Sequence, residues 1–287
     1  MTVGLVVTAK AKDVGGFDVR RALPTAQLRA VGPFVFLDQM GPARIAAGKG
    51  LDVRPHPHIG LSTMTYLYQG EIMHRDSLGT VQAIQPGAVN WMTAGRGIVH
   101  SERSPQSARS GEHALFGLQF WVALPRTHEE VEPSFLHLGS DALPAFSDAG
   151  VEGRVIAGEM AGRQSPLAAP HPMICVDLAL QAGARVALPS LWPEQAVYVS
   201  AGAVELGNQR LAEGQLAVLS PGAETLAIAV AASRMMLLGG APLDGPRHIW
   251  WNFVSSSAER IEQAKEDWRH GRFAPVPGES EFIPLPE

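Results

Sequence analysis

The sequence predicts an all-β protein of barrel or sandwich type, with a single helix near its C-terminus. Three observations carry that expectation. Short apolar runs (FVFLDQMGP, STMTYLYQGE, VQAIQPGAVNWM, HALFGLQFWVALP) alternate with turn signals, the pattern of short strands joined by tight turns. The chain holds 30 Gly and 22 Pro, so no run extends far beyond strand length. Apolar residues at helical spacing are scarce before residue 255 and appear clearly once after it.

A length of 287 residues accommodates two domains, and 46% hydrophobic against 18% charged residues fits a soluble protein with real cores. The composition shifts around VEPSFLHLGSDALPAFSDAG, which places a boundary near residue 140, giving domains 1–140 and 141–287. A weak internal repeat crosses that boundary: Tyr66 precedes Gly70 by four residues, and Tyr198 precedes Gly202 by four. It fits a duplicated barrel or a chance likeness between small hairpins. The helix is expected at about 256–270. Ser256 and Glu259 have capping-box spacing, Ala258, Ile261, Ala264 and Trp268 form an apolar stripe, and Gly271 is a stop. The Pro-rich tail carries Phe282, Ile283 and Leu285 and is expected to lie extended on the surface of the fold.

A net charge of −5 without a Lys/Arg cluster excludes the electrostatic footprint of a nucleic-acid binder. Arg103 and Arg109 flank a Ser-rich loop and read as solvated. A single cysteine, Cys175, excludes an intramolecular disulfide and, inside PMICVDLAL, reads as a buried small hydrophobe. GLVVTA is too short for a signal peptide, and no apolar run reaches the roughly 18 residues of a membrane helix. The expected location is the cytoplasm.

The residues that carry chemistry come in two short pairs: His56 and His58 in RPHPHIG, then His100 and Glu102 in GIVHSER. Side chains two apart on a strand share a face, so each pair can aim at one point. Facing strands would then bring together three imidazoles and a carboxylate, a ligand set for Fe, Mn, Co, Ni, Cu or Zn. Structural zinc would favour a Cys-rich site, which one cysteine cannot build. Around the pairs, His74 suits either a place beside the metal or a surface hairpin. Asp76 and Ser77 read as shaping the turn before Gly79, and Trp91 and Met92 as core. Gln119 and Trp121 alternate with Phe120, so one of these sets faces the interior. His113, His128 and His137 lack any pairing pattern and read as structural or solvated.

Glycines frame the ligands. Gly50 precedes His56-Pro57-His58 by five intervening residues, and Gly97 stands three before His100. This frame resembles the paired motifs of the cupin superfamily, with one departure. Ser62 and Thr63 stand where a cupin places its Glu, and the carboxylate is Glu102 instead. With GPFVFLDQMGP at 32–42, GEIMHRDSLG at 70–79, PGAVNWMTAGRGIVHSER at 86–103 and GLQFWVALP at 117–125, the chain resembles the pirins, and its C-terminal segments are similar to the bacterial quercetinase-like branch. The likeness covers most of the chain and is weakest over about 140–195.

The resemblance implies a bicupin of two antiparallel β-barrels, with metal only in the N-terminal one. It implies His56, His58, His100 and Glu102 as ligands to one divalent ion, usually Fe(II). It further implies a quercetin 2,3-dioxygenase activity on a flavonol-like substrate with dioxygen, Glu102 serving as ligand and catalytic base together. The alternative it implies is a redox-responsive metal-binding regulatory protein acting through a protein partner.

Overall fold

A computed structural model describes residues 2–14, 17–222 and 224–286. Antiparallel strands dominate, and Ala258–Arg269 is the one α-helix among the described residues. No helix there is long and apolar enough to cross a membrane. The chain divides into two compact units. One comprises Asp13–Val19, Met40–Gly139 and Leu243–Glu287; the other comprises the N-terminal residues through Lys12, Arg20–Gln39 and Ser140–Pro242.

The unit with Met40–Gly139 sets a four-stranded sheet, in the order Asp52–His58, Ile98–Arg103, Ile72–Asp76, Val81–Ile84, beside a larger one. The larger sheet runs Ser134–Leu138, Val89–Thr93, Leu61–Gln69 and His113–Ala123. Tyr66, Leu67, Ile72, Ile84, Val89 and Leu118 are buried here. Trp91 and Met92 are buried too, as the apolar pattern of their strand predicts. Gly70 ends the central strand at φ 86°, a left-handed conformation that glycine adopts without steric penalty.

The other unit repeats the layered plan with different contents. Its seven-stranded sheet has Glu194–Ala201, Ser233–Gly240 and Met173–Leu180 at the centre, and its four-stranded sheet pairs Arg185–Leu188, Thr225–Ala229, Ala203–Leu206 and Gln209–Ala212. Its core is hydrocarbon, led by Val155, Val176, Leu178, Val197, Val199, Val204, Leu206 and Leu237. Tyr198, fully buried like Tyr66, donates its hydroxyl to Gln39 Oε1 at 2.8 Å. Gly202 follows at φ 77°, so both halves of the sequence repeat end a central strand the same way. Cys175 is fully buried, and burial pushes its thiol well above the usual range.

Two assignments differ from the sequence expectation. A single boundary near 140 would give the C-terminal helix to 141–287, whereas Leu243–Glu287 groups with Met40–Gly139. The reason is packing: Ile261 and Ala264 of the helix bury against Ile59 and Phe253, with Trp250, Trp251, Trp268, Phe273 and Leu285 around them. The tail follows the same surface, Ile283 N–H donating to the Pro55 carbonyl at 2.8 Å and Trp268 Nε1–H to the Ile283 carbonyl at 2.9 Å. The cap also moves by one residue. Ser256 gives its backbone N–H and its hydroxyl to Glu129, so Ser257 caps the helix. Its Oγ accepts from Arg260 N–H at 3.2 Å and donates to Glu259 Oε2 at 2.7 Å, and Ala258 is left exposed. Ser257→Ala should lower stability by about 1 kcal/mol, read by urea denaturation.

Candidate metal centre

Period-two alternation sets the site. In the register of the four-stranded sheet, His56 lies opposite His100, Asp76 lies across from His100 on the other side, and His74 lies across from Glu102. One face of this sheet therefore carries His56, His58, His74, Asp76, His100 and Glu102. The register slips between His100 and Glu102, a bulge that brings Val53 opposite Glu102. Gly60, at φ 66°, follows the first pair; a Cβ there would stand 1.9 Å from the Val254 carbonyl oxygen, so only glycine lets the 253–255 strand approach so closely.

The three histidines converge. One ring nitrogen from each of His56, His58 and His100 lies within 4.8 Å of the others, and the residues are 7%, 1% and 1% exposed. His56 Nδ1–H donates to the Arg54 carbonyl at 2.9 Å, and His58 Nδ1–H to the Asn252 carbonyl at 3.0 Å. A carbonyl only accepts, so both rings carry a lone pair on Nε2. His58 Nε2 faces His100 Nε2 at 3.1 Å. That separation suits a cation between the two nitrogens, and the donor set fits a divalent metal ion.

Burial keeps these rings neutral. Desolvation pulls His56 down to about 4, against the favourable bond to the Arg54 carbonyl. The same cause pulls His58 and His100 well below the ordinary value, helped by neighbouring imidazoles. Neutral imidazole is the form that binds metal. The sign for stability follows. An unfolded chain protonates its histidines below about 6.5, whereas folded His56 resists protonation down to about 4. The stability of metal-free protein should therefore be full above pH 6.5 and fall as pH drops toward 4. Calorimetry in chelator from pH 7 to 5 should show a falling Tm, with a shallower slope in His56→Ala.

Glu102 stands outside the close cluster of three imidazoles. Its Oε1 accepts from Thr65 Oγ1 at 3.0 Å, and Thr65 also reaches Gln119 Oε1 at 2.8 Å. Burial raises the proton affinity of the Glu102 carboxyl, opposed by His74 and by the Thr65 bond. Trp121 sets its ring edge-on to His58, centroids 5.3 Å apart, so Gln119 and Trp121 form the strand face turned to the site, and Phe120 the opposite one.

Other histidines separate cleanly. His74 is buried, stacks on Phe135 at 4.5 Å, and bonds Asp76 Oδ2 through Nε2 at 2.9 Å. Its Nδ1 lies 3.4 Å from His100 Nδ1, which decides between the two readings of this residue in favour of the place beside the site. Asp76 Oδ1 accepts from the Leu78 and Thr80 backbone N–H groups, and Ser77 Oγ from that of Val99, so both shape the turn. His137 bonds Asn90 and His128 bonds Thr127, outside the cluster. Asn252 gave no signal in the sequence, because a backbone carbonyl carries no residue identity.

Comparison with known proteins places this geometry. The family model described as Pirin matches residues 16–122, and the model described as Pirin C-terminal cupin domain matches 175–274. A pirin-like protein of Caulobacter vibrioides is 51% identical, with 99% of this chain and 100% of the relative covered. A pirin-like protein of Solanum lycopersicum is 32% identical, with 93% and 92% covered. The crystal structure of a quercetin 2,3-dioxygenase from Acinetobacter baumannii superposes with a TM-score of 0.92 at 34% identity, over 99% of this chain and 95% of that one. The paired histidine strands, the cupin-type two-domain fold and these likenesses together make the chain a member of the pirin family.

Proposed function

We propose that the chain is a metal-dependent dioxygenase of the quercetin 2,3-dioxygenase type, with His56, His58, His100 and Glu102 holding one ferrous ion. The observation that carries the reading is the buried cluster of three neutral imidazoles, two of them fixed with Nε2 free by backbone carbonyls. The likeness to a solved quercetin 2,3-dioxygenase at 34% identity supports the substrate class. The buried Cys175 suits a reducing cytoplasm as the place of action.

An ion bound there supplies Lewis acidity toward an anionic flavonol oxygen and redox chemistry toward dioxygen. The rest falls to the chain. Three neutral rings add no charge, so Glu102 alone offsets that of the ion, and the net positive site favours an enolate or phenolate. Thr65 holds Glu102 Oε1, and this carboxylate would help hold the ion and accept the flavonol 3-hydroxyl proton. Those two tasks compete, because a coordinated carboxylate is a weaker base. Trp121 closes one side of the site against His58.

The test is oxygen uptake by Fe(II)-loaded protein with quercetin, expected to consume one dioxygen per flavonol and release carbon monoxide. No uptake across Fe, Mn, Co, Ni and Cu would end the enzymatic reading. The alternative, a metal-dependent regulatory protein, draws on one observation: His58 and His100 lie deep, and an apolar groove of about 450 Å³ lined by Trp268, Phe273 and Phe282 runs beside Pro55 and Val99. Under it, a partner binds metal-loaded protein and releases the apo form.

A further inference from the structure

The carbonyls of Arg54 and Asn252 can only accept, which settles His56 and His58 directly. The third histidine has no carbonyl partner, and its Nε2 stands 3.1 Å from His58 Nε2, with room for either a proton or a cation between them. His100 Nδ1 faces another imidazole nitrogen, His74 Nδ1, at 3.4 Å, and either could carry the proton. The choice is made one residue further out. His74 Nε2 sits 2.9 Å from Asp76 Oδ2, and an ionised carboxylate only accepts. A neutral His74 carries its proton on Nε2, its Nδ1 holds a lone pair, and the proton between the two imidazoles belongs to His100 Nδ1. That leaves His100 Nε2 bare, toward His58 Nε2.

We infer that Asp76 and His74 are positioning residues that set the tautomer of His100 and so complete the three-nitrogen metal site. The inference rests on the metal reading, since without a cation His58 Nε2 accepts from His100 Nε2 at 3.1 Å. The surroundings hold the relay in one arrangement. Asp76 Oδ1 is fixed by the Leu78 and Thr80 N–H groups at 2.9 and 3.0 Å, which orients Oδ2. His74 is clamped against Phe135 with the ring planes 25° apart. Both residues are nearly inaccessible, so water does not substitute for either bond. The turn role of Asp76 is thus half of its work: one oxygen closes the hairpin and the other fixes a proton two rings away.

The sharpest test is Asp76→Asn. The side-chain oxygen must stay with the two backbone N–H groups, so the new amide presents N–H to His74 Nε2. His74 then accepts at Nε2 and protonates at Nδ1, which forces His100 to accept at Nδ1 and protonate at Nε2. The ligand atom is blocked although the shape is unchanged. Ni(II) titration of the full chain should show affinity falling about 10- to 100-fold, the range for loss of such outer partners. His74→Leu removes an acceptor without presenting a donor, so its loss should be smaller than that of Asp76→Asn; a purely packing role predicts the reverse order. Histidine ¹⁵N spectra of Zn(II)-loaded protein read the relay directly: His100 protonated at Nδ1 and His74 at Nε2 alone in the wild type.

Asp76→Asn binding nickel within about twofold of wild type, or wild-type His74 protonated at Nδ1, overturns the inference. Should Asp76→Asn fail to fold, the wild-type spectrum alone decides. If His56→Ala binds nickel as wild type does, the metal reading falls instead.

Discussion

His56→Ala is expected to reduce bound metal from about one ion per chain to near zero and to abolish any oxygen uptake with quercetin. Loss of an outer partner alone costs a metal site about 10- to 100-fold in affinity, and His56 is one of three converging nitrogen ligands, so the loss should exceed a hundredfold. The fold should survive. His56 is the most accessible of the three, its strand lies against the neighbouring Ile98–Arg103 strand by backbone pairing, and the substitution removes a buried polar ring. Elemental analysis after purification without added metal, beside a thermal melt in chelator, separates loss of the ligand from loss of structure. Retention of stoichiometric metal by His56→Ala would show that the ion binds elsewhere.

Glu129→Ala should be the most destabilising single change among those argued for this unit, at about 3 kcal/mol by urea denaturation. Glu129 Oε1 pairs with Arg247 Nε at 2.9 Å, with the two side chains 7% and 1% accessible. The same carboxylate accepts from Ser255 Oγ, Ser256 N–H and Ser256 Oγ at 2.9–3.0 Å. Breaking a buried ion pair from one side costs about 3–5 kcal/mol, because the remaining charge is stranded. Arg247 keeps Asp244 at 2.5 Å and the Leu124 carbonyl at 2.8 Å, which sets the lower end of that range. Metal affinity should fall as well, since Glu129 anchors the segment just after Asn252, whose carbonyl orients His58. Glu129→Gln keeps the shape and should lose less on both measures.

Strand periodicity is the reason the convergence of His56, His58 and His100 was legible in the sequence. H-x-H and H-x-E on extended backbone leave two side chains one face to occupy, and the glycine frame marked where the strands end. The same alternation correctly grouped Gln119 with Trp121. What stayed hidden depended on partners remote in sequence. His58 takes its carbonyl from Asn252, 194 positions away, aimed by a turn in which Trp251 adopts φ 50°, a conformation that tryptophan rarely takes. Three consecutive serines could each cap the helix, and the choice of Ser257 was made by Glu129, whose claim on Ser256 no local pattern reveals. The second oxygen of Asp76 was hidden by the first, because a turn role was sufficient to explain an Asp before Gly79. The grouping of Leu243–Glu287 with Met40–Gly139 was hidden too, because packing between segments remote in sequence leaves no local pattern.

Chain order also governs how the protein is made. A ribosome that has delivered His56, His58 and His100 still has well over a hundred residues to add before Asn252 appears. Until then His58 lacks the acceptor that fixes its ring, and Ile59 lacks Phe253 and the helix that cover it. The histidine strands must therefore wait, partly uncovered, while the entire intervening unit is translated. A protein truncated before residue 243 should therefore emerge with its three histidines present, His58 without its carbonyl partner and Ile59 uncovered.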